Sequence, residues 1–68
     1  MTIGEDRVRV TFNPGGSDVV ARIKQKTADL IDIVETLDPM NDIRCARLAQ
    51  TYYETAAMYA VKAATADK

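Results

Sequence analysis

FNPGGSDVVARIKQKTADLIDIVETLDP, residues 12–39, holds a turn, a capped helical pattern and a second break in one run. Pro14-Gly15-Gly16 cannot lie inside a helix or a central strand, so it marks a turn. Ser17 suits the N-cap that follows, and Asp18 favours the positive end of the helix dipole. Beyond them Val20, Ile23, Thr27, Leu30, Ile31, Val34 and Leu37 recur close to the 3.6-residue period of one helix face. The spacing predicts helix 1 over about residues 17–37, roughly 30 Å long. Asp38-Pro39 is the next break, because proline disfavours helical geometry before it and is itself a good first helical residue. With Asp38 as cap, helix 2 is expected over about residues 39–65. So short a connection makes antiparallel neighbours. The fold class is all-α, an antiparallel two-helix hairpin.

Helix 2 carries two apolar faces. Ile43, Ala46, Tyr53, Ala57, Ala60 and Ala64 form one, suited to packing on helix 1. Leu48, Tyr52 and Tyr59, with Cys45 nearby, form the other. Seven alanines between Ala46 and Ala64 keep the surface flat enough for close helix approach. A two-helix hairpin covers only one such face, so the second calls for another copy or another protein. Towards the N-terminus, Val8, Val10 and Phe12 alternate with Arg7, Arg9 and Thr11. This period-two pattern predicts an extended N-terminal arm over residues 1–16, with disorder of residues 1–6 as the competing reading.

The chain has 68 residues, enough for a single domain over 1–68 and below the size at which one core is comfortably stable alone. Cys45 is the only cysteine and histidine is absent, which removes an intrachain disulfide and a Cys/His zinc set as supports. Self-association is the support left. A net charge of −1 and a pI near 5.2 argue against a diffuse basic face for DNA or long RNA. No apolar run approaches the roughly 18–20 residues of a membrane span, and the N-terminus lacks the layout of a signal peptide. A soluble intracellular protein without membrane contact is expected.

Catalytic signals are few. Without histidine there is no Ser-His or Cys-His nucleophile. Asp29, Asp32 and Glu35 could bind magnesium, but a solvated helix face is the better account of them. Gly15-Gly16 lacks the spacing of a phosphate loop. The expectation is no enzyme, no cofactor and no metal. Binding chemistry is better represented. Phe12 places an aromatic ring beside a helix N-terminus, with Arg22, Lys24 and Lys26 in the next turns, so a base could stack and phosphate could find donors. The competing reading packs Phe12 as a staple near Val19 or Val20 and leaves the lysines solvated. Lys24 sits at the edge of the apolar stripe and could snorkel towards a groove between subunits. The Thr27 hydroxyl needs a partner wherever it is buried. Tyr59 and Lys62 share a helix face, which also fits an ordinary alanine-rich packing helix.

Taken together, FNPGGSDVVARIKQKTADLID and YYETAAMYAVKAAT resemble the small phage proteins of the anti-CBASS protein 2 family, over about residues 7–65. That family shares a helical-hairpin domain with a phage protein that counters Thoeris defence. The resemblance implies a sponge in the cytoplasm of the infected bacterial host. Such a protein sequesters cyclic oligonucleotide messengers, such as 3′,3′-cyclic GMP-AMP, without cleaving them. It also implies a homohexamer, with cyclic dinucleotides bound between protomers and cyclic trinucleotides in separate pockets. Phe12 then stacks on a base, Asn13 fixes the turn or touches the ligand, and Lys24, with Lys26 or Thr27, contacts the phosphate ring. Tyr59, Lys62 and Thr65 fall to stacking and the trinucleotide pocket. The alternative function is a helical interaction module that docks on a host or phage protein through Leu48, Tyr52 and Tyr59.

Overall fold

The computed structural model describes residues 1–37 and 42–66. Its helices are α1 (Ile3–Val8), α2 (Asp18–Glu35) and α3 (Ile43–Ala64), and no strand occurs among the described residues. Helices α2 and α3 are helix 1 and helix 2 of the sequence reading. Their contacts run in opposite directions along the two chains. Glu35 meets Arg47, the Ile31 carbonyl meets Gln50, and Ala28 packs in one cluster with Ala57. The hairpin is antiparallel.

The N-terminal arm is not extended. Residues 3–8 form α1, held by a reciprocal capping box. The Thr2 hydroxyl accepts from the Glu5 amide at 3.1 Å, and the Glu5 carboxylate accepts from the Thr2 amide at 2.9 Å. The alternation of Val8, Val10 and Phe12 therefore reflects a helix end followed by turns. Helix α1 stops at Arg9, whose φ of 55° and ψ of 58° lie in the left-handed region. The Arg9 amide reaches back to the Asp6 carbonyl and the Val10 amide to the Glu5 carbonyl, which satisfies the last carbonyls of the helix. A non-glycine residue costs about 1–2 kcal/mol there.

Gly4 lets α1 lie directly on α2. A Cβ at Gly4 would collide with the Ala28 carbonyl, and the Gly4 amide donates to Asp32 at 2.7 Å. Val8 then joins Ala28, Ile31 and Ala57 in the core, with Val10 and Tyr53 packed against it. Beside this small apolar cluster lies a polar one. Gln50 is fully buried. Its amide donates to the Ile31 carbonyl at 3.1 Å and to Glu35 at 3.0 Å, while its oxygen accepts from Arg47 at 2.8 Å. Each polar atom thus has a partner, as burial requires.

Two helix ends differ from expectation. Helix α2 ends at Glu35, where tight i→i+3 bonds from Thr36 and Leu37 close its last turn. Helix α3 begins at Ile43 because Asp42 is its N-cap, accepting from the Cys45 amide at 3.0 Å. The expected Asp38-Pro39 cap lies outside the described residues. The buried face of α2 is also shifted. Val20, Lys24, Ala28 and Ile31 are buried, whereas Leu30 and Leu37 are exposed. Contact with α1 as well as α3 selects the small Ala28 and turns the larger leucines outwards.

The protomer measures 46 × 23 × 12 Å. Its accessible surface is 5080 Å², against about 4,250 Å² for a compact monomer of 7.5 kDa. Tyr52, Met58, Tyr59 and Ile33 stand in that surface, each at least 60% exposed. No helix among the described residues is long and apolar enough to cross a membrane.

Candidate functional site

The turn after α1 is built by its own side chains. The Asn13 amide group donates to the Ser17 carbonyl at 2.9 Å, and its oxygen accepts from the Ser17 amide at 3.2 Å. Gly16, with φ of 62°, bends the chain back so that its amide reaches the Asn13 carbonyl. The Ser17 hydroxyl then caps α2 through the Val20 amide at 3.3 Å. Asn13 is thereby committed to the turn.

This rigid turn presents Phe12 to solvent at 61% exposure, so the ring is not a staple folded onto α2. Lys24 holds it from beneath. The Lys24 ammonium, on a side chain only 7% exposed, donates to the Arg9 carbonyl at 3.0 Å and to the Phe12 carbonyl. It also lies 5.3 Å from the centre of the Phe12 ring, within cation–π range. The expected edge lysine is a buried clamp. Two of its three hydrogens are spoken for.

Lys24 further lines an open groove of about 510 Å³ between the end of α1 and the middle of α3. Arg7, Val8, Arg9, Glu54, Ala57, Met58 and Val61 complete its walls. Arg7 pairs with Glu54 at 2.9 Å. Three cations against one carboxylate make this a positive concavity in a chain of net charge −1.

The other expected site residues separate from it. Lys26 is exposed and sits about 200° around α2 from Lys24. Thr27 satisfies its hydroxyl on the Ile23 carbonyl at 2.7 Å. Tyr59 is 68% exposed and lies about 200° around α3 from the buried Ala57, facing away from α2. Lys62 and Thr65 are exposed near the end of α3, and Thr65 bonds the Val61 carbonyl at 2.8 Å. Within one protomer, Phe12, Asn13 and Lys24 come together, and no hydrogen bond joins Tyr59, Lys62 or Thr65 to them among the described residues. The carboxylates weighed for magnesium are each engaged elsewhere: Asp29 with Gln25, Asp32 with Gly4, Glu35 with Arg47 and Gln50. Arg7, Arg9 and Met58 were not singled out by the sequence reading. The Thr2-x-x-Glu5 capping signature was the clue, since a helix there brings both arginines beside α3.

Fold and site define a small all-helical hairpin protein with a cationic groove, whose Lys24 also lies beneath an exposed aromatic ring. The family model described as Acb2/Tad1, hairpin domain, matches residues 3–65, and the chain belongs to that family. The membership points to a phage anti-defence role of the sponge type. No curated protein and no solved structure matches the chain.

Proposed function

We propose that the protein is a sponge that binds and sequesters cyclic di- and trinucleotide messengers without cleaving them, blocking effector activation in CBASS immunity. It acts in the cytoplasm of the infected bacterium. The observation that carries this reading is the exposed Phe12 ring beside the buried Lys24 ammonium, which itself lines a cationic groove. A ring and an adjacent cation are what a base and its phosphate require. In this reading the site belongs to a homohexamer, whose contacts cover the Leu48-Tyr52-Tyr59 face that is exposed in the protomer. There Tyr59, Lys62 and Thr65 of one copy come within reach of ligand held by another. No step of bond making or breaking is needed.

Purified protein is expected to deplete 3′,3′-cyclic GMP-AMP from solution and to release it intact on denaturation. Recovery of a linear product sinks the proposal in favour of an enzyme. A second reading, favoured by the two outward tyrosines, is docking of α3 on a host or phage protein. Light scattering separates the two, since a stable homo-oligomer hides that face and a nucleotide-insensitive monomer offers it.

A further inference from the structure

We infer that Arg9 is a phosphate-binding residue, and that the ligand site runs from Phe12 across Lys24 into the α1–α3 groove. This rests on the cyclic-nucleotide reading above. Arg9 occupies the left-handed position that ends α1, where glycine is the default and asparagine the usual substitute. An arginine there is conformationally unfavourable, and residues held in such regions cluster at binding sites. Its backbone is pinned on both sides. The amide is held by the carbonyls of Glu5 and Asp6, and the carbonyl by Lys24.

The side chain lines the groove, yet its guanidinium has no hydrogen-bond or ion-pair partner among the described residues. Arg7 and Arg47, by contrast, are each paired with a glutamate. The Arg9 side chain is exposed, and the planar fork of a guanidinium suits a phosphate by two parallel bonds. The groove volume of about 510 Å³ falls in the range of small-ligand sites, and Val8, Met58 and Val61 offer apolar wall for a sugar or base edge. One ammonium spaces the whole site, because Lys24 holds the carbonyls of both Arg9 and Phe12.

The test is Arg9→Gly, with Arg9→Asn beside it, in the full chain. Both residues accept the left-handed backbone, so the melting midpoint is expected to hold or rise. Calorimetric affinity for 3′,3′-cyclic GMP-AMP is expected to fall about tenfold or more. Stability and affinity then move apart, which a structural role does not produce. Unchanged affinity in both variants, with Phe12→Ala still losing binding, overturns the Arg9 assignment and leaves the sponge standing. A lowered midpoint in both variants, tracking the lost affinity, also overturns it and returns Arg9 to the fold. If the parent protein binds no cyclic nucleotide, the sponge reading and this inference fall together.

Discussion

Lys24 shows how one side chain can serve fold and site together. Its stem is buried against the α1–α2 junction and its ammonium ties two carbonyls of the connecting turn. The helical period marked the position as an edge, since only the apolar residues were counted into the face. What made it central was α1, which brings the carbonyl end of a helix directly over it. Lys24→Met keeps most of the stem and removes the donors. The Arg9 carbonyl keeps the Phe12 amide at 2.9 Å, but the Phe12 carbonyl loses its partner, at a cost of about 1–3 kcal/mol. Chemical denaturation should show that loss, and cyclic-nucleotide binding should weaken with it. Full stability in Lys24→Met would mean that water replaces the ammonium and that the clamp is dispensable.

At the scale of elements, the short α1 decides where the groove lies. Ser17 as N-cap and the turn at Pro14-Gly16 were legible, because capping and turn residues act within a few positions of themselves. The α1 docking was not, because Gly4 contacts Ala28 and Asp32, residues far along the chain. Gly4→Ala is therefore a substitution with one clear consequence. The added methyl meets backbone, so α1 must lift, at a cost of about 1–3 kcal/mol for overpacking. Val8 leaves the core and Arg9 loses its place beside α3. A melting midpoint lower by several degrees and faster amide exchange across residues 3–10 are the expected readouts. An unchanged exchange pattern would show that α1 docks by other means.

For the whole molecule, acid sensitivity follows from three carboxyl groups held below their ordinary values. The Thr2 amide lowers Glu5, the Gln50 amide and then Arg47 lower Glu35, and the Cys45 amide lowers Asp42. A group whose folded pKa is depressed contributes stability above its unfolded value and loses it as pH falls through the folded one. The contribution is thus complete above about pH 4.5 and fades below it. Melting curves should hold their midpoint from neutrality down to that region and then drop. Glu35→Gln should flatten part of the drop, because glutamine does not titrate; an unaltered acid limb would remove Glu35 from the account. These are surface contacts, and the molecule relies on them because its apolar core is small: Val8, Ala28, Ile31 and Ala57, with Val20 buried apart from them.

Sequence alone determined the all-helical class, the two long helices, the antiparallel pairing and the outward apolar face of α3. Each follows from period, caps and breaks, which are properties of neighbours in the chain. It also carried the family resemblance, which the match over residues 3–65 bears out. Tertiary structure decided the rest. It made the N-terminal arm a helix seated on α2, buried Lys24 and Gln50, turned Leu30 and Leu37 outwards, and put Arg7 and Arg9 opposite α3. The reason is steric and electrostatic. Close approach at Gly4 and the demand that buried donors and acceptors be paired act across the fold, between residues that no local pattern connects.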